Sequence, residues 1–146
     1  MNHAEEIETG LSEDEQIYKE NILDHYKHPH NKGEVTHNST FKEINPTCGD
    51  ELTVFLDIKD NKISNISFTG QGCAISQAGI SMLTDELKEK DIKEVKKMRS
   101  DDIFKLLGIN ISVNRIKCAL LPLKAVQNAI KEYENEIRNN DVGLNK

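Results

Sequence analysis

The sequence predicts an α+β domain: a small antiparallel sheet with helices packed against one face. Two observations predict it. Leu52, Val54, Leu56 and Ile58 alternate with Glu51, Thr53, Phe55 and Asp57, the period-2 signature of a strand with one buried face. After Gly70-Gln71-Gly72 the period changes, and Ile75, Ala78, Gly79, Met82, Leu83 and Leu87 fall at helical spacing. With 146 residues, one domain is expected.

The elements follow in order. Ser12 and Glu15 have the spacing of a capping box, and Tyr18, Ile22 and Tyr26 recur every four residues, which predicts a first helix from Ser12 to Lys27. Pro29 ends it, and Asn31-Lys32-Gly33 is a turn. A weaker strand is expected over Thr40 to Asn45. The alternating strand then meets the turn Asp60-Asn61, and Lys62 to Thr69 reads as its hairpin partner. Ile63, Ile66 and Phe68 are out of strict alternation, which predicts a bulge. The helix that follows begins near Cys73. Asp91 with Glu94 opens a short helix, and Ser100 caps another that Gly108 closes. Leu121, Ala125, Val126, Ala129, Ile130 and Tyr133 form the stripe of a last helix. Pro122, tolerated in a first turn, sets its start near residues 118–122. The expected organisation is a flexible acidic tail over 1–11, the domain over 12–138 and a flexible C-terminal tail over 139–146.

Charge is uneven. Residues 1–20 hold seven acids and one base, so the net charge of -6 lies entirely there and the remainder is balanced. No basic stripe suggests nucleic acid. The acidic start reads as a solvated tail, with docking as the other reading. No apolar run reaches a membrane span, and the start lacks the basic-then-apolar pattern of a signal peptide, so a cytoplasmic protein without membrane contact is expected.

Three cysteines, Cys48, Cys73 and Cys118, are an odd number widely spread with no CxxC pair, against a disulfide framework or a zinc ribbon. Cys48 lies in the turn Asn45-Pro46-Thr47-Cys48-Gly49-Asp50. Cys73 follows a Gly-x-Gly loop at a helix start, and Cys118 begins the last helix. None belongs to an apolar stripe. A helix N-terminus favours thiolate over thiol, the form that soft metals and persulfide donors need. Asp50, two residues from Cys48 across a glycine, can present an oxygen to the same ion, or it can serve only as a strand-start residue; spacing alone leaves both readings open. Three thiolates and a carboxylate suffice for a tetrahedral Zn²⁺ site or a [2Fe–2S] cluster. A catalytic zinc hydrolase is not expected, since the usual helical His pair is missing. His25, His28, His30 and His37 fall within thirteen residues. They are not spaced as a chelating set, and surface or partner-facing roles are expected of them.

From Tyr18 to Tyr133 the chain resembles the IscU/SufU family of iron–sulfur cluster assembly scaffolds, also found as the N-terminal part of NifU. The resemblance rests on Tyr26-Lys27-His28-Pro29-His30-Asn31-Lys32-Gly33, Asn45-Pro46-Thr47-Cys48-Gly49-Asp50, Gly70-Gln71-Gly72-Cys73-Ala74-Ile75-Ser76 and Arg115-Ile116-Lys117-Cys118-Ala119. It implies a three-stranded antiparallel sheet with helices around it and a metal site of Cys48, Asp50, Cys73 and Cys118. It also implies a scaffold rather than an enzyme. Sulfur would arrive from a cysteine desulfurase at one of the three cysteines, and a transient [2Fe–2S] cluster would pass to apo acceptor proteins.

Two features divide the subtypes. Lys117 stands where IscU-type chains have His, as in SufU, and is a candidate auxiliary to a persulfide. The interval between Cys73 and Cys118 is nevertheless close to the IscU length, without the insertion of SufU-type chains. The LPPVK stretch by which a dedicated Hsp70 chaperone recognises IscU proteins is replaced by Ile111-Ser112-Val113-Asn114-Arg115. The alternative function is a SufU-type zinc-dependent sulfur carrier with the same ligands. A homodimer sharing one cluster stays open.

Overall fold

The structure is a computed structural model that describes residues 13–47 and 49–144, the side chains of 141–144 excepted. The first helix, α1, spans Glu13–Lys27. Three strands follow, β1 (Ser39–Asn45), β2 (Asp50–Lys59) and β3 (Lys62–Gln71), then α2 (Ala74–Leu87). Two short helices, α3 (Ile92–Lys97) and α4 (Ser100–Leu107), lead through a 3₁₀ turn at Val113–Arg115 to α5 (Ile116–Leu144).

The strands form an antiparallel meander in the order β1-β2-β3. Asp60 and Asn61 both take the left-handed conformation, φ 53° and 62°, which gives a tight hairpin the twist of its strands. Leu52, Val54 and Leu56 are fully buried on the inner face, as the alternation predicts. The bulge is present as well. Asp57 pairs with Asn65 but Ile58 with Ile63, so Ser64 is the extra residue, and its hydroxyl donates to the Asp57 carbonyl at 2.8 Å. The insertion returns Ile63 to the same face as Ile66 and Phe68, and all three are fully buried.

Helices α2 and α5 cover that face; α1 packs on α2 rather than on the sheet. Enclosed by β3, α1, α4 and α5, α2 is buried well beyond one stripe: Ser76, Gln77, Ser81 and Thr84 join Ala78, Ile80, Leu83 and Leu87 inside. The buried face of α1 also differs from expectation. Ile22 and His25 are buried while Tyr18 and Tyr26 are largely exposed, because α1 meets a helix whose inward residues include Ser81, a partner for an imidazole. Tyr18 lies against Gly108, the left-handed cap of α4, where a Cβ would collide with its ring.

At the helix ends one expectation holds and others need adjustment. Asp91 caps α3 by accepting from the Lys93 N–H at 2.8 Å. The cap of α4 is Arg99 rather than Ser100, with Asp102 accepting its backbone N–H. Helix α5 starts at Ile116, so Pro122 falls in its second turn. Its ring packs where Gly79 of α2 carries no side chain; a Cβ there would lie 3.4 Å from Pro122 Cγ. The last helix also runs on through 139–144, past the boundary set at 138. The capping box at Ser12 and the segment 1–11 lie outside the described residues. Among the described residues no helix is long and apolar enough to cross a membrane.

Candidate metal centre

Three elements converge at the N-terminal end of α2. Asp50 is the first residue of β2 and pairs with Asn45, the last of β1, across the loop that holds Cys48. Cys73 is the N-cap of α2, as its place after Gly-x-Gly predicts. Cys118 is the third residue of α5 and is buried, whereas Cys73 is partly exposed.

A helix N-terminus has backbone donors without helical partners. The side chain of Cys73 supplies no cap; Asp50 does, accepting the Cys73 N–H at Oδ1 at 2.9 Å. Its other oxygen, Oδ2, faces Cys73 Sγ at 3.5 Å. The strand-start and ligand readings of Asp50 are therefore compatible, one oxygen for each. The carboxylate needs room, and Gly72 provides it. At φ 151° a Cβ on residue 72 would run into the Asp50 carboxylate, so both the backbone angle and the close approach require glycine.

A carboxylate oxygen of Asp50 and the sulfurs of Cys73 and Cys118 all lie within 4.8 Å of one another. Donors sharing one zinc or iron at about 2.0–2.3 Å stand roughly 3.5–4 Å apart, so a shift of about 1 Å would gather them on a single ion. Two sulfurs with one carboxylate oxygen fit a borderline-to-soft metal and do not suit Mg²⁺ or Ca²⁺. Cys48, the fourth expected ligand, lies outside the described residues.

Two neighbours of the sulfurs were not singled out by spacing. The Asn45 amide points at Cys118 Sγ across 4.0 Å, and its Oδ1 accepts the Thr47 N–H, shaping the loop ahead of Cys48. The Arg115 guanidinium sits beside both sulfurs. Its pKa is raised, chiefly by the negative charge of Cys73 and further by hydrogen bonds to Cys73 and Cys118. The available signal was the three-residue separation of Arg115 and Cys118, which puts them on one side of a helical stretch. Lys117, the expected auxiliary, is exposed. It lines an open, mainly apolar cleft of ≈ 520 Å³ with Pro46, Thr47, Leu120 and Leu121.

Of the histidines, the expectation of surface roles fails for His25, which is buried and bonded to Ser81 at 2.7 Å. His25 and His30 gather with Asp85 at the other end of α2.

Known proteins resemble this chain along most of its length. The family model described as the NifU-like N terminal domain matches residues 17–140. The zinc-dependent sulfurtransferase SufU of Bacillus subtilis is 34% identical over 135 residues, covering 81% of this chain and 92% of that protein. The iron–sulfur cluster assembly scaffold protein IscU 1 of Archaeoglobus fulgidus is 33% identical over 118 residues, covering 80% and 76%. The crystal structure of the N-terminal part of a nitrogen-fixing NifU-like protein from Brucella abortus superposes with a TM-score of 0.67 at 20% identity, covering 84% of this chain and 96% of that one, a likeness of fold. With a family model spanning most of its length and relatives above 30% identity, the chain belongs to the NifU-like N-terminal domain family.

Proposed function

We propose that this chain is an iron–sulfur cluster assembly scaffold, with Cys48, Asp50, Cys73 and Cys118 as the ligands of the nascent cluster. The observation that carries the reading is the convergence of Asp50, Cys73 and Cys118 from three separate elements. Sulfur arrives as the persulfide of a cysteine desulfurase. A thiolate of this chain attacks the outer sulfur, the S–S bond breaks, and the desulfurase cysteine leaves as thiolate; the persulfide is now here. Each such sulfur takes up two electrons from an external reductant to become sulfide. Iron and sulfide are then held as a [2Fe–2S] unit until an apo acceptor protein takes them.

Asp50 supports release. A carboxylate oxygen is a harder and weaker corner for iron than a fourth thiolate. Arg115 supports the steps before metal arrives, since a guanidinium beside two sulfurs balances their negative charge. It has to move aside when a cation takes that place. The cytoplasm as the place of work belongs to the same reading.

A zinc-dependent sulfur carrier is the second reading, favoured by the name of the Bacillus subtilis relative and by Lys117 ahead of Cys118. In it Zn²⁺ is held by the same side chains, and a thiolate released from it accepts the sulfur. Anaerobic reconstitution with ferrous iron, cysteine and a cysteine desulfurase separates the two. A brown protein holding iron and sulfide that activates an apo-ferredoxin is expected. Zinc that iron cannot replace, together with persulfide transfer and no sulfide retained, would overturn the scaffold reading in favour of the carrier.

A further inference from the structure

The C-terminal end of α2 gathers a second set of ligand-type side chains. His25 in the last turn of α1, His30 in the loop beyond it and Asp85 of α2 each bring a donor atom, all within 4.8 Å of one another. The two imidazole rings lie 4.4 Å apart between centroids, tilted by 49°. Their surroundings orient them. His25 Nδ1 is hydrogen-bonded to Ser81 Oγ at 2.7 Å, and the His30 backbone N–H donates to the same hydroxyl at 2.7 Å. Asp85 Oδ1 accepts from Asn31 Nδ2 at 2.8 Å, and Asn31 Oδ1 in turn accepts from Lys88 at 2.6 Å. Supporting bonds of this kind, to the second nitrogen of a histidine and to a carboxylate, accompany metal ligands.

Protonation is suitable too. Burial lowers the pKa of His25, a charge on His30 would lower it further, and Asp85 and Asp24 oppose, a net direction that favours the neutral ring. Burial tends to raise the pKa of Asp85, but hydrogen bonds from His30 and Asn31 outweigh it and hold the carboxyl below its ordinary value. A neutral imidazole and an ionised carboxylate are the forms that ligate.

We propose that His25, His30 and Asp85 bind one divalent first-row transition-metal ion, of the Zn²⁺ or Fe²⁺ kind, through two imidazole nitrogens and a carboxylate oxygen. Two nitrogens and an oxygen without sulfur select such an ion over Mg²⁺ or Ca²⁺. His25 is the buried anchor. The His30 and Asp85 side chains are 48% and 46% exposed and hydrogen-bonded to each other at 2.5 Å, so a cation reaches both from solvent. Asp85 lies twelve residues along α2 from Cys73, about 18 Å at 1.5 Å per residue, so the two ends cannot share an ion. The inference does not depend on what the cysteine end assembles.

The test uses the full chain given one equivalent of Zn²⁺ and then titrated with Co²⁺ as the probe. Cobalt at the cysteines gives intense sulfur-to-metal charge transfer, whereas cobalt on two imidazoles and a carboxylate gives only weak visible bands. A second equivalent of the latter kind is expected, unchanged in Cys118→Ser. Loss of an outer partner costs roughly 10–100-fold in affinity, so Asn31→Gly, which keeps the left-handed backbone at φ 61°, weakens the second equivalent about tenfold. Losing a ligand costs more: His30→Ala and Asp85→Ala, both at exposed positions, weaken it by about 100-fold or beyond. A wild-type chain that takes up no sulfur-free cobalt, or one whose second equivalent binds His30→Ala and Asp85→Ala just as tightly, would overturn the proposal.

Discussion

The two ends of α2 hold their polar groups in different ways. At the N-terminal end, Asp50 and Cys73 meet through backbone geometry: a glycine without a Cβ, a helix N-terminus and the first residue of a strand. At the C-terminal end, His25, His30, Asn31, Ser81 and Asp85 meet through side chains contributed by two segments more than fifty residues apart. The first arrangement writes itself into short motifs, Asn45–Asp50 and Gly70–Cys73, because each backbone requirement falls on a few consecutive residues. The second leaves no local trace. Four histidines spread over thirteen residues give no sign of which two will turn toward one helix.

Substitutions can separate the ends. The largest effect is expected from Gly72→Ala, whose new Cβ drives into the Asp50 carboxylate at a backbone angle alanine avoids. Metal and sulfide bound at the cysteines should fall to background and stability by about 1–3 kcal/mol, while sulfur-free cobalt binding at the far end persists. Loss of both together would show that the ends are not independent. Asp50→Ala comes next. Losing the cap should cost about 0.5–2 kcal/mol in denaturant unfolding, and cluster transfer to an apo-ferredoxin should slow. An unchanged transfer rate would remove Asp50 from the release step.

The smallest expected effect compares neighbours two residues apart. Arg115→Ala should slow sulfur transfer from a desulfurase roughly fivefold, the modest effect of a solvent-screened charge, while Lys117→Ala stays within about twofold of wild type. The reverse order would mean that Lys117, not the residue beside the sulfurs, assists the transfer.

Much of the fold was legible because it is local. The β2 alternation, the Asp60-Asn61 turn and the out-of-step isoleucines were enough to place the hairpin and its bulge. What sequence patterning misjudged depends on distant partners. Tyr18 and Tyr26 have the spacing of a buried stripe, yet α1 turns His25 inward because Ser81 waits there. Pro122 points to a later start for α5, but Gly79 makes room for its ring in the second turn. Arg115 reads as an ordinary solvated charge until the meeting of Cys73 and Cys118 gives it something to face. The cysteines themselves were found through their motifs, and the depth of Cys118 in the core was not, since its burial comes from the packing of α5 on the sheet.

The central claim is that residues from three elements hold one metal centre. Metal and sulfide content of protein purified without oxygen, measured with Cys48, Cys73 and Cys118 each changed to serine, tests it most directly. The account predicts that every one of the three variants loses its sulfide and the metal held at the cysteines, retaining at most the ion at the far end of α2, while keeping its folded circular dichroism spectrum. Full metal retention in Cys73→Ser or in Cys118→Ser would contradict it.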